Sequence, residues 1–145
     1  MDVVQVSIFL ENKPGHLQNA LQVLADRNIN IRTLTIAEMS DFGIVRMIVN
    51  QPDEAVQTLR SNGFTCSSTE VLALELEDVP GALSQTLETF RQHGLNIEYM
   101  YAFNQKRGDR AVMIFKFDDM AGAKRVLIEE GYKIVKGADI AGTSS

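Results

Sequence analysis

Residues 11–17 read Glu11-Asn12-Lys13-Pro14-Gly15-His16-Leu17, and 66 positions later the chain reads Glu77-Asp78-Val79-Pro80-Gly81-Ala82-Leu83. Fourteen residues beyond each of those leucines the match resumes, as Asn30-Ile31 and Asn96-Ile97. Between Glu11 and Ile31, 7 of 21 positions are identical at this shift. Chance would supply roughly one identity, since common residues each make up some 5–10% of a protein. The register then drifts by two residues, aligning Leu59 and Asn62-Gly63-Phe64 with Leu127 and Glu130-Gly131-Tyr132. The slack falls in Asn104-Gln105-Lys106-Arg107-Gly108, which reads as a longer hairpin loop. One unit is written twice, and the expected domains are 1–69 and 70–145.

Outward from the repeated turn, hydrophobic periodicity assigns the elements. Val4, Val6, Ile8 and Leu10 alternate with polar residues before the first turn, and Leu72, Leu74 and Leu76 do so before the second. After the Pro-Gly, Leu17, Ala20, Leu21 and Leu24 fall on one helical stripe, repeated by Leu83, Leu87 and Phe90. Asn28 and Gly94 stand where a left-handed residue would end those helices. Two strands follow, from Ile31 and from Ile44 in the first copy and from Ile97 and from Ala111 in the second. The reading puts Ile97, Tyr99, Tyr101 and Phe103 on one face, matched by Ile31, Thr33 and Thr35. A second helix and a closing strand complete each copy, near Phe64–Ser68 and Tyr132–Val135. The order β-α-β-β-α-β, with right-handed crossovers, predicts an α+β class. Each copy is a ferredoxin-like unit, with both helices on one face of an antiparallel sheet.

Composition narrows the function. The 145 residues are 45% hydrophobic and 23% charged, a globular balance. The net charge is −5, from 14 basic and 19 acidic side chains, and it is spread evenly over both halves. Such a chain lacks the positive field that draws proteins to phosphate backbones, so nucleic-acid binding is not expected. Cys66 is the only cysteine, which excludes an internal disulfide and a cysteine-based metal cage. The start lacks a signal-peptide pattern, and no apolar run is long enough for a membrane helix, so a cytoplasmic protein is expected, without a membrane partner.

The repeated corner has a definite chemistry. The first N–H groups of a helix lack internal partners and sit at its positive end, so they favour a carboxylate or phosphate. Proline presets the backbone there, and Gly15 or Gly81 lets a ligand approach without a Cβ in the way. A free amino acid matches these parts, because burying a zwitterion requires both charges to be met. Lys13 suits its carboxylate, Asp78 its ammonium, and an asparagine offers both a donor and an acceptor. Capping of the helices by Asn12 and Asp78 is the structural alternative. Asn30 and Asn96 lie beyond the far end of their helix, about 20 Å away for some 13 residues. Within one copy the loop and this asparagine should not meet; across an interface they could.

In these motifs, Glu-Asn-Lys-Pro-Gly-His-Leu and Glu-Asp-Val-Pro-Gly-Ala-Leu each followed by Asn-Ile, the chain resembles the ACT domain, a small regulatory module that binds amino acids. The resemblance covers essentially the whole chain as a tandem pair. It implies side-by-side pairing of two sheets into one eight-stranded sheet, with effector sites at the pairing interface. Asn12 and Asn30 match the two asparagines that serine-sensing members present to their ligand; Asn96 matches the second, and Asp78 replaces the first. Leu10 and Leu76 stand where those members carry a ligand-contacting histidine, which favours a more apolar amino acid than serine. The candidate ligand-binding residues are Asn12, Lys13, Gly15, His16, Leu17, Asn30 and Ile31 in the first copy. In the second they are Asp78, Val79, Gly81, Ala82, Leu83, Asn96 and Ile97.

The expected function is therefore a non-catalytic amino-acid sensor, resembling the freestanding tandem members. It would signal by a change of shape or assembly, act on a metabolic enzyme and form a homodimer. The alternative is a regulatory subunit that docks on an enzyme and binds no small molecule. Catalysis finds little support: His16 and His93 occupy non-equivalent positions, Cys66 reads as a packing residue, and no cofactor or metal motif is present. RNA-recognition modules share this element order, but their third strand carries a basic-glycine-aromatic signature. The third strands here, Gly43–Ile48 and Ala111–Lys116, do not; Tyr99, Tyr101 and Phe103 near Lys106, Arg107 and Arg110 are the nearest approach.

Overall fold

A computed structural model describes residues 2–38, 40–103 and 108–141. They form β1 (Val3–Glu11), α1 (His16–Asp26), β2 (Ile31–Glu38), β3 (Phe42–Val49), α2 (Pro52–Ser61) and β4 (Thr65–Glu77). The chain continues as α3 (Ala82–Gln92), β5 (Ile97–Ala102), β6 (Arg110–Phe117), α4 (Met120–Glu129), β7 (Lys133–Val135) and α5 (Gly137–Ala141). The fold is α+β and repeats the ferredoxin-like βαββαβ order. Among the described residues there are seven strands rather than the eight the resemblance implied. The last strand of the first copy and the first strand of the second are one element, β4, because no glycine or proline interrupts residues 65–77. The hairpin loop expected at 104–107, with Lys106 and Arg107, lies outside the described residues.

Two compact units result. One comprises Val4–Glu70 together with α5, the other Val71–Lys136 together with Asp2 and Val3. In the first, the strands run β2-β3-β1-β4, and Val6, Ile8 and Leu10 of β1 join Val45, Met47 and Val49 of β3 beneath α1 and α2. Ala20 and Leu24 of α1 and Ala55, Val56 and Leu59 of α2 close this core. The carbonyl of Ile140, in α5, accepts from Arg32 Nε at 3.4 Å, and Ile140 is buried. In the second unit β6 and β7 flank β4, with β5 outside β6. Leu72, Leu74, Leu76, Phe115 and Phe117 meet Phe90 of α3 and Leu127 of α4 in the matching core. Lys124 of α4 pairs with Asp2.

The helix ends follow the sequence reading. Asn28 adopts φ +60° and Gly94 φ +69°, and the next amide donates back into the helix, Ile29 to Leu24 and Leu95 to Phe90. The face assignment of the second strand of each copy needs correction. The β2·β3 register shifts between Ile31 and Thr33, and the β5·β6 register between Ile97 and Tyr99. Each irregularity rotates the strand by one side chain. Ile31 and Ile97 therefore pack against the helix-side cores, whereas Tyr99 and Tyr101 alternate with Met100, which faces that core.

Candidate ligand-binding corners

The turn from β1 into α1 is built by backbone bonds. Asn12 N donates to Asp41 O at 2.8 Å, Lys13 N to Glu11 O at 2.9 Å, and His16 N to Lys13 O at 3.2 Å. The N-cap of α1 is Gly15, at φ +87°, and that of α3 is Gly81, at φ +84°. The N-cap of each helix is a glycine and so provides no side-chain cap, and no side-chain hydrogen bond from Asn12 caps α1. We predict that Asn12→Ala changes stability by less than about 0.5 kcal/mol in a urea titration, whereas loss of a true cap costs about 1 kcal/mol.

A cavity of about 340 Å³ opens at this first corner. Asn12, Lys13 and Leu17 of the sequence-derived set line it, together with Leu10 and Glu11 at the strand end. Ile36, Phe42, Gly43 and Val45 complete the wall. Alternation along the strands could have placed Ile36 and Val45 beside Leu10, because β3 pairs with both β1 and β2. Phe42, by contrast, reads as a turn residue and in fact opens β3.

Glu11 and Lys13, both lining the cavity, form an exposed ion pair at 2.9 Å. The hydrogen bond from Lys13, and then its charge, hold the Glu11 carboxyl below the usual carboxylate range. The same contact raises Lys13. Gly15 and His16 belong to the turn but do not line the cavity.

Asn30 and Ile31 lie at the other end of α1. Asn30 N donates to Asn50 Oδ1 at 3.0 Å, and Asn50 N to Asn30 O at 3.1 Å, which staples the start of β2 to the end of β3. Helix length thus separates this asparagine from the corner, as expected. In the second unit Asn96 lines a cleft of about 270 Å³ with His93, Asp118 and Arg125. Its Nδ2 donates to Asp118 Oδ2 at 3.4 Å.

The second corner keeps the backbone and changes the chemistry. Asp78, Val79 and Gly81 are exposed, with Leu83 at the surface of α3. A cavity of about 460 Å³ beside the turn includes Ala82 but none of those four. It is polar instead, with Glu75, Arg110 and Lys133 around it. Glu75 is buried; Arg110 Nε lies 3.1 Å from its Oε1 and Lys133 Nζ 3.5 Å from its Oε2.

The groups weighed for catalysis are placed otherwise. His93 sits at the end of α3 and contacts Glu130 at 2.8 Å. Cys66 packs in the first core, where burial pushes its thiol up against the weaker pull of Arg60. Among the described residues no group of three or more His, Cys, Asp or Glu could hold a metal ion, and no helix is long and apolar enough to cross a membrane.

Duplicated βαββαβ units, each with an uncapped Pro-Gly corner, define a tandem regulatory-module architecture, and the family match is direct: residues 1–143 fit the ACT domain pair, so the chain belongs to that family. Protein BT0572 from Bacteroides thetaiotaomicron is 39% identical, with a TM-score of 0.90 over 97% of this chain and 96% of that one. The fold is shared with the ligand-free regulatory subunit of aspartate kinase from Thermus thermophilus, at 16% identity and a TM-score of 0.64 over 90% and 94% of the two chains. It is shared too with the corresponding subunit from Thermus flavus, at 14% identity and 0.62 over 89% and 92%. The search of curated proteins gave no match.

Proposed function

We propose that this chain is a non-catalytic cytoplasmic sensor that binds a free amino acid at its first corner and regulates a partner by changing shape or assembly. The observation that carries this reading is the cavity beside the uncapped start of α1. A carboxylate and an ammonium, Glu11 and Lys13, line it together with apolar residues, among them Leu10, Leu17, Ile36 and Val45. Those groups answer the two charges and the side chain of an amino acid. The homodimer belongs to the same proposal. Leu34 and Ile36 are exposed on β2, which ends the strand order of the first unit, and an uncovered apolar edge strand favours association. Regulatory subunits of aspartate kinase share the fold, and a metabolic enzyme is the partner this suggests.

The test is thermal melting against each of the twenty amino acids, with assembly followed by light scattering. A ligand at 100 times its Kd stabilises the folded state by about 2.7 kcal/mol, which moves Tm by several degrees. One amino acid, or a chemically related few, should produce that shift. A flat panel would discard the sensor and leave the docking subunit that binds no small molecule.

A further inference from the structure

We propose that α5 is a strap by which the second unit controls the first: its docking steadies the β2–β3 hairpin, and that docking depends on the second unit being folded. No ligand enters this coupling, so it holds whatever the first corner binds.

The chain crosses between its units at both ends. β7 ends at Val135 in the second unit, Lys136 follows, and Gly137 opens α5, which belongs to the first unit. At the start of the chain Asp2 and Val3 belong with the second unit, where Lys124 pairs with Asp2, and the first unit begins at Val4. Chain termini are loosely held unless something ties them down. Here each end is tied into the unit built by the opposite half of the sequence.

The hold of α5 on the first unit rests on one side chain. α5 lies against β3. Ile140 is 3% exposed, whereas Ala138 and Asp139 of the same helix are exposed. A helix of five residues is too short to persist without such packing. The Ile140 carbonyl also accepts from Arg32 Nε at 3.4 Å. Arg32 sits where the β2·β3 register shifts, between Ile31 and Thr33, and irregular strand positions of this kind re-aim a side chain. α5 is thus joined to both β2 and β3, the strands that bring Ile36, Gly43 and Val45 to the first corner.

Linkage supplies the control. A segment joined through a single residue to a folded strand docks intramolecularly, at high effective concentration. When the second unit unfolds, β7 no longer fixes the start of α5. Residues 71–136 then become one flexible loop, and closing it costs entropy that the folded unit had removed. Ile140 leaves its place, and the first unit opens more often. Stability lost in one unit is passed to the other, and the coupling is reciprocal.

Two native reporters separate the units. Cys66, the only cysteine, is buried in the first core, and the three tyrosines all lie in the second unit. Alkylation of Cys66 by iodoacetamide, read by mass spectrometry across a urea series, follows opening of the first unit in the full chain. In the wild-type chain it should rise together with loss of the tyrosine signal, and Phe90→Ala should carry both to lower urea. Ile140→Ala, with folding checked by circular dichroism, should accelerate alkylation without urea by about tenfold or more. Adding Phe90→Ala to that variant should leave its alkylation profile in place, because the strap is already released. The milder Ile140→Val should shift alkylation in the same direction by less, which keeps the test open if Ile140→Ala does not fold. An alkylation rate unchanged by a folded Ile140 variant would overturn the strap. So would wild-type alkylation that ignores the tyrosine transition, or a Phe90→Ala shift that is equal with and without Ile140.

Discussion

Replacing Phe90 with alanine should cost the second unit about 3–5 kcal/mol, the largest effect expected from any single truncation in that core. Phe90 is 1% exposed. It presents its edge to Phe115 at 5.5 Å and to Phe117 at 5.2 Å, with interplanar angles of 89° and 81°. Edge-to-face pairs add to the benefit of area burial, and a ring-sized void between α3 and the sheet cannot collapse without moving both. Domains of this size are stable by only about 5–15 kcal/mol, so the variant stands close to unfolding. Leucine, which the first unit carries at the matching Leu24, should restore most of the loss. Tyr99, Tyr101 and Tyr132 are the only tyrosines and the chain has no tryptophan, so intrinsic tyrosine fluorescence in a urea titration reports this unit alone. A loss below about 1.5 kcal/mol would show that the aromatic cluster is not the packing centre.

The second large effect is electrostatic. Arg110→Leu should destabilise by about 2–4 kcal/mol, because it strips the nearest cation from a carboxylate that is 5% exposed. Lys133, 3.5 Å away but itself largely exposed, offsets part of this and keeps the figure below that for a wholly orphaned charge. The double change Glu75→Phe with Arg110→Phe should recover most of the stability, since it installs the pair the first unit has as Phe9 and Phe42. A double-mutant cycle by urea denaturation measures the coupling. If the double variant is as unstable as Arg110→Leu, the ion pair fits its surroundings in a way the stack cannot replace.

These two expectations bear differently on what could be read from the chain. Leu87 and Phe90 of the expected stripe and the alternation of Leu72, Leu74 and Leu76 are local patterns that place α3 against β4, whereas Leu83 of the same stripe is exposed. The ion pair was not legible, because Glu75 and Arg110 are 35 residues apart and meet only through the β4·β6 register. The same holds at the first corner. Asn12, Lys13 and Leu17 announce themselves in a repeated motif, while Ile36 and Phe42 reach the cavity only when β2 and β3 fold back beside β1. The irregularities at Ile31–Thr33 and Ile97–Tyr99 carry no glycine or proline, which is why strict alternation misplaced the faces of Thr33, Tyr99 and Tyr101.

From the order of residues alone come the duplication, the βαββαβ pattern, the left-handed stops at Asn28 and Gly94 and the Pro-Gly corners. Each depends on stereochemistry and periodicity within a few neighbouring residues. Folding in three dimensions added the single long β4, the assignment of α5 to the first unit, and the contrast between an aromatic stack and an ion pair at equivalent corners. Those features arise where distant segments pair in one register and not another, and a shift of one residue would have turned a different set of side chains toward each corner.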